Sequence, residues 1–176
     1  MNKQSVEIEL NKFAKGVIKQ ARTNLTKKDR NVSKELYNSL KSEVKISKNS
    51  FELSFYMKDY GKFQDKGVKG KTSTARAPLS EFRFGSGTGK KGGLTSGVFE
   101  WVKARRFQFS DKKTGQFMSY KSTAFLITRS IYNKGLKPTN FFTIPFENAF
   151  KKLSDDVIKA YGLEVNKLLS DTVIWY

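Results

Sequence analysis

The spacing of the apolar residues changes along the chain, and this change restricts the fold more than any other feature. In residues 6–25 apolar residues recur every three or four positions, which predicts an amphipathic helix. In residues 43–57 they alternate with polar residues, which predicts an antiparallel hairpin with one buried face. Helical spacing returns over residues 146–168. The sequence therefore predicts an α+β fold in which long N- and C-terminal helices pack on a small antiparallel sheet.

The 176 residues match the size of one ordinary domain, so we expect a single domain over 1–176 that carries a long insertion. Seven glycines lie among Lys, Ser and Thr in residues 67–93, which is typical of an extended loop that is either functional or disordered. Residues 94–102 and 120–131 predict two further helices, the second with a left-handed end at Gly135. Residues 107–117 predict a second hairpin or a long loop.

The net charge of +18 is concentrated in the middle of the chain. Residues 58–143 hold eighteen Lys/Arg against five Asp/Glu, whereas residues 144–176 hold four against five. Such a field favours contact with nucleic acid or with an acidic protein, although general solubility also accounts for it. Candidate contacts for DNA or an acidic partner are Lys103, Arg105, Arg106, Lys112 and Lys113. Candidate subunit contacts in the Gly-rich loop are Lys69, Lys71, Arg76, Lys90 and Lys91.

The residue types that are missing weigh against an enzyme. The chain has no Cys and no His, so zinc sites with those ligands, catalytic triads and Cys nucleophiles are excluded. The glycines do not match a phosphate-binding loop, because Gly89-Lys90 is followed by Lys91 where Ser or Thr is needed. We therefore expect no catalytic residue, no cofactor and no metal, and we interpret Asp59 and Asp65 as surface ion-pair residues.

No apolar run approaches the ~20 residues that cross a bilayer, and the N-terminus lacks the apolar stretch of a signal peptide. We therefore expect a soluble protein without a membrane partner, which stays in the cytoplasm where it is made.

Basic and aromatic residues are interleaved over residues 76–84 and 103–117, which is also the composition of a platform for single-stranded nucleic acid. Strict alternation favours a different interpretation, in which the aromatic rings pack inward and the Arg side chains face solvent. The rings in question are Phe82, Phe84, Phe107 and Phe109.

The turn over residues 60–67 is predicted to be structural. Tyr60 and Phe63 are three positions apart, so both rings can face the core from one helical turn. Gly67 can end that turn with a positive φ, and Asp65 can act as a cap or pair with a neighbouring lysine.

Three segments resemble the tail-completion family that includes minor tail protein Z of lambda-like phages. Residues 60–68, YGKFQDKGV, are similar to its aromatic-acid-glycine turn, and residues 138–146, PTNFFTIPF, to its aromatic-proline entry into a C-terminal helix. Residues 122–136 look like the preceding helix in versions from phages of Bacteroidetes-type hosts. The order of helix, hairpin, turn and last helix is also similar.

The resemblance implies a virion protein at the junction of head and tail, made in the host cytoplasm and without catalytic residues to transfer. Its expected partners are other neck and tail proteins, further copies of itself in a ring, and packaged duplex DNA in the channel. Six-fold symmetry is favoured over twelve-fold. The alternatives are a free, non-enzymatic nucleic-acid-binding protein and, in third place, a nuclease-like enzyme built on Lys, Tyr or carboxylates.

Overall fold

A computed structural model of the chain describes residues 3–28, 33–47, 50–86, 93–153, 155, 157–158 and 165–175. The class is α+β, as predicted. The contacts group the residues into two compact units, whereas the sequence analysis treated the chain as one domain with an insertion over 67–93. Unit 1 comprises Met1–Asp65 and Thr139–Tyr176, and unit 2 comprises Lys66–Pro138.

The helices of unit 1 are α1 (Lys3–Lys27), α2 (Glu35–Ser39), α3 (Gly61–Lys66, whose last residue belongs to unit 2), α6 (Thr143–Phe150) and α7 (Val165–Thr172), and its strands are β1 (Lys41–Ile46), β2 (Phe51–Met57) and β5 (Val173–Trp175). Unit 2 contains β3 (Val68–Lys69), α4 (Gly93–Ala104), α5 (Tyr120–Lys134) and β4 (Gly135–Leu136). None of the helices in the described ranges is long and apolar enough to cross a membrane.

The core of unit 1 forms where the apolar stripe of α1 meets β2 and α6. The helical period of α1 is confirmed, since seven positions of its stripe are buried: Val6, Leu10, Phe13, Ala14, Val17, Ala21 and Leu25. Aromatic rings fill the centre in edge-to-face pairs, with centroids 5.2 Å apart for Phe13 and Phe146 and 5.2 Å for Phe55 and Phe142. Such pairs add to the stabilisation that burial of the rings provides.

The predicted hairpin is confirmed, and the sheet has a third strand that the sequence analysis did not predict. β1 pairs antiparallel with β2, with Val44 opposite Leu53. Lys48 and Asn49 of the expected turn lie outside the described residues. The C-terminal β5 pairs with the other edge of β2 in parallel, with Val173 opposite Phe55. The sheet is therefore mixed, in the order β1-β2-β5.

The prediction of one long C-terminal helix over residues 146–168 is wrong. α6 ends at Phe150, and the amides of Lys152 and Leu153 then bond three residues back, to Ala149 and Phe150, which tightens the chain into a turn. Leu153 and Val157 are nevertheless buried, so the apolar spacing continues through the break. Periodicity therefore could not reveal that the helix stops.

Asp65 is the N-terminal cap of α6, although the two lie 77 positions apart in sequence. Its carboxylate is buried and accepts hydrogen bonds from the amides of Phe142 at 2.8 Å and Thr143 at 3.2 Å, and from the hydroxyl of Thr143. Its carbonyl accepts from the amide of Asn140 at 3.0 Å. A carboxylate is favourable here because the first amides of a helix lack partners and carry partial positive charge.

The residues before this cap are arranged differently from the prediction. Tyr60 is exposed and Phe63 is only partly buried, so neither ring is a core residue. The buried positions of α3 are Gly61 and Asp65, which share one face at four-residue spacing. Because Asp65 must point inward to cap α6, the two aromatic residues turn towards solvent. The ion pair of this turn joins Lys62 to Asp59, not to Asp65.

Unit 2 packs α4 against α5 and closes with a two-stranded pair. Val98, Val102 and Ala124 form its small buried core. β3 pairs antiparallel with β4, which brings two backbones very close at glycines. A Cβ on Gly70 would lie 2.0 Å from the carbonyl oxygen of Asn133, and Gly135 has the predicted positive φ, at 91°. The predicted positive φ at Gly67, 73°, is confirmed as well.

We predict that Asp65→Ala lowers the free energy of unfolding by about 1–3 kcal/mol, because two amides and a hydroxyl lose a buried acceptor. Urea denaturation followed by circular dichroism measures this. Asp65→Asn should cost less, since an amide oxygen still accepts from both amides while its NH₂ faces the Thr143 hydroxyl. Asp59→Ala is the matched control, and loss of its exposed ion pair should cost at most about 1 kcal/mol. Equal losses for Asp59→Ala and Asp65→Ala would contradict the cap.

We also predict opposite effects for two Gly→Ala substitutions. Gly70→Ala should destabilise the protein because its Cβ would overlap the backbone of Asn133. Gly16→Ala should stabilise it by about 0.5–1 kcal/mol, since Gly16 lies in α1 with no atom near the position of a Cβ. Thermal melts of the two variants test the close backbone approach in unit 2. A melting temperature unchanged by Gly70→Ala would count against it.

Candidate nucleic-acid and partner interface

Unit 2 contains the whole set of basic residues that the sequence analysis selected, and it is the source of most of the net charge. It holds sixteen Lys/Arg against three Asp/Glu, a net of +13, while unit 1 holds eighteen against thirteen, a net of +5. Two of the three acidic side chains are already engaged, Glu81 by Lys66 at 2.8 Å and Asp111 by backbone amides. These carboxylates are already counted in the net of +13, so unit 2 keeps a strong positive field.

The end of α4 presents Lys103, Arg105 and Arg106, which are all exposed. The helix closes as a Schellman motif, in which the amide of Phe107 bonds to the carbonyl of Val102 and that of Arg106 to the carbonyl of Lys103. The motif needs a left-handed residue, usually glycine, and here it is Arg106 with φ 50°. Cations are favoured at this end of a helix by the backbone dipole.

Lys112 and Lys113 lie at the tip of the loop that joins α4 to α5, and both are exposed. Asp111 organises the tip by accepting from the amides of Lys113 at 2.8 Å and Thr114 at 3.0 Å. Both hydrogen bonds lower the pKa of the Asp111 carboxyl below its ordinary value, and the bond from the Thr114 amide has a larger effect than the bond from the Lys113 amide. The carboxylate thus stabilises the backbone of the turn, and Gly115 ends the turn with a φ of 71°.

The aromatic rings after α4 are exposed, and the prediction that Phe107 and Phe109 pack inward is wrong. Their side chains are 41% and 37% exposed. The ring of Phe107 lies between those of Trp101 and Phe109, at centroid distances of 6.1 Å and 5.2 Å. The loop itself contains an isolated bridge between Ser110 and Phe117, and among the described residues no strand of a second sheet is paired with it. The other pair, Phe82 and Phe84, is partly buried.

We call Trp101, Phe107 and Phe109, together with Lys103, Arg105 and Arg106, the aromatic–basic face. Trp101 lies in the last turns of α4 before the cations, and Phe107 and Phe109 follow directly after them, so both kinds of group lie at the same end of α4. Exposed clusters of aromatic residues and Arg are typical of recognition surfaces for proteins and for nucleic acids.

The described part of the Gly-rich segment, residues 67–86, is ordered by hydrogen bonds within unit 2. Lys69 lies in β3, and its amide and carbonyl bond to the backbone of residues 82–84. The guanidinium of Arg76 donates to the carbonyl of Gly135, and the ammonium of Lys71 lies 6.0 Å from the ring centroid of Tyr132. Lys90 and Lys91 lie outside the described residues.

Leu79 was not predicted from the sequence as a contact residue; it is 98% exposed on a hydrogen-bonded turn of this segment. Its neighbours Ala77 and Ser80 are buried, and the Ser80 hydroxyl donates to the carbonyl of Gly67 at 2.7 Å. The turn therefore fixes the backbone on both sides of a leucine that no described residue covers. The signal in the sequence was an apolar residue after Pro78 in a polar, irregular stretch.

The carboxylates do not form a metal site in the described residues. Asp59 pairs with Lys62 and Asp65 caps α6, so each has a structural partner. In the ranges that are described, no group of three or more acidic side chains converges as metal ligands.

Comparison with known proteins gives no match: no family model, no curated protein and no solved structure is similar to this chain.

We predict that reversing Lys103, Arg105 and Arg106 to Glu weakens binding to duplex DNA and lowers the slope of log affinity against log salt by about two to three, because each phosphate contact contributes about 0.9. Fluorescence anisotropy of a labelled duplex across a salt series measures both quantities. Reversal of Lys12, Lys15 and Lys19 on α1 is the control, since it changes the net charge equally but acts in unit 1. Equal losses in both variants would leave only a general charge effect.

Proposed function

We propose that this chain is a structural virion protein of a tailed phage, a neck or tail-completion subunit that assembles into a ring at the head–tail junction. The proposal assigns it no catalytic step. The proposal rests on one observation: the three segments that resemble the family contact one another in the structure.

Each of these segments contacts another of them in the structure. In unit 1, Asp65 of the aromatic-acid-glycine turn caps the helix that follows the aromatic-proline segment, through Phe142 and Thr143. In unit 2, Val68, which follows the glycine of the same turn, pairs with Leu136 at the end of the third segment. Residues that carry the resemblance to the tail-completion family thus contact one another and connect elements of the fold. This supports a shared architecture over a chance likeness.

A closed ring of identical subunits needs two different patches on each copy, because one patch docks on another patch of the next copy. Leu79 supplies an anchor of the kind that such contacts use, an exposed apolar side chain on a hydrogen-bonded turn. It belongs to the Gly-rich segment in which the sequence analysis expected subunit contacts. We propose that Leu79 inserts into the neighbouring copy.

The charge of unit 2 fits this position in a virion. A net of +13 in 73 residues favours contact with packaged duplex DNA in the channel or with an acidic neck protein. Both belong to the same assembly, and the salt series above distinguishes phosphate contact from a protein partner.

Size-exclusion chromatography with multi-angle light scattering tests the ring. We expect one defined multimer of the 20.1-kDa chain, with six copies favoured over twelve. Leu79→Ser should convert it to the monomer while the circular dichroism spectrum stays unchanged, because the side chain is exposed. Ala75→Ser is the control at an exposed position in the preceding turn of the same segment, and it should keep the multimer.

Two results are informative against the proposal. A wild-type protein that is monomeric at every concentration would contradict a ring that forms from this chain alone. A multimer that survives Leu79→Ser would keep the ring and remove Leu79 from its interface.

A further inference from the structure

We propose that the aromatic–basic face binds single-stranded nucleic acid, with bases stacking on Phe107 and Phe109 and phosphates held by Lys103, Arg105 and Arg106. This goes beyond the proposed function, in which DNA is an intact duplex recognised through its charge. The proposal can also be tested independently of ring assembly, because nucleic-acid binding is measured directly on the purified protein.

The cations of the face point to an anionic ligand. Three of them lie within four positions at the end of α4, all exposed, and the one acidic residue of the following loop is occupied by backbone amides. A polyanion is the ligand that complements such a surface, because every phosphate of a strand carries charge.

The exposed rings of the face point to a ligand with accessible bases. A duplex hides its bases, so a site for duplex backbone alone needs no exposed aromatic residues. Phe107 and Phe109 are packed edge to face at 78°, which holds both rings in place while more than a third of each side chain remains open to solvent. Bases stack on rings held in this way largely regardless of their sequence.

The backbone at Arg106 is a third and independent observation. Its φ of 50° is a conformation that glycine adopts without steric cost and that an arginine adopts with strain. An arginine in this position costs stability relative to glycine, and its side chain is exposed to solvent. We infer that the charge serves a ligand, since the helix end itself would be better closed by glycine.

An acidic protein is the competing occupant, and the observations favour a nucleic acid over it. A protein partner would need a dense acidic surface to match the net charge of +13 on unit 2. A single strand provides both the regular negative charge and the flat aromatic surfaces that the face is built to meet.

The test uses the full-length protein, a labelled oligothymidine of twenty nucleotides and a labelled duplex of the same length. The double substitution Phe107→Leu with Phe109→Leu keeps apolar side chains in the cluster but removes the flat rings. It should weaken binding to the single strand about five- to tenfold or more, leaving duplex affinity and the salt slope unchanged. Arg106→Gly should lower the salt slope by about one for both ligands and raise the melting temperature.

Phe117→Leu is the matched control in the same loop. Phe117 is 76% exposed and stands opposite Ser110, so it faces away from Phe109 across the bridge, and its substitution should change neither affinity. Equal loss in this control would overturn the assignment of the bases to Phe107 and Phe109. The proposal would also be overturned if the double substitution weakened both ligands equally or neither, or if polyglutamate at equal charge competed as well as the oligonucleotide does.

Discussion

A buried carboxylate at the start of α6 is the interaction on which unit 1 depends. The first amides of that helix are fully accounted for: Thr143 donates to Asp65, Ile144 donates to an upstream carbonyl, and Pro145 has no N–H. This arrangement fixes the helix at the point where Phe142 and Phe146 enter the core between α1 and β2. Because Asp65 lies in the last turn of α3, its side chain links the middle of the chain to the C-terminal part of unit 1.

Local features could be predicted from the sequence, whereas features set by distant partners could not. The stripe of α1 and the alternation of β1 and β2 depend on which face is buried, and the glycines at 67 and 135 depend on backbone conformation alone. In contrast, the cap is 77 positions from its helix, and β5 finds its place only by pairing with β2. The exposure of Phe107 could not be predicted either. Alternation of apolar and polar residues predicts that a strand has two different faces, but not whether another layer of the protein covers either face.

The two units differ in the chemistry they offer. Unit 1 buries its aromatic residues around α1 and carries nearly balanced charge, which is what a stable scaffold requires. Unit 2 has a small core, a backbone held close by glycines, an exposed leucine and a strong positive field. These are properties of a surface made for contact. In the proposed ring, unit 1 is the stable scaffold, and unit 2 supplies the contacts with neighbouring copies and with DNA.

Electron microscopy of the purified protein tests the central claim most directly, because class averages show the symmetry of an assembly without assuming which residues form its interfaces. The account predicts closed rings with an open centre, of six-fold symmetry in preference to twelve-fold. Single copies at every concentration, or particles that assemble only as filaments along added nucleic acid, would contradict it.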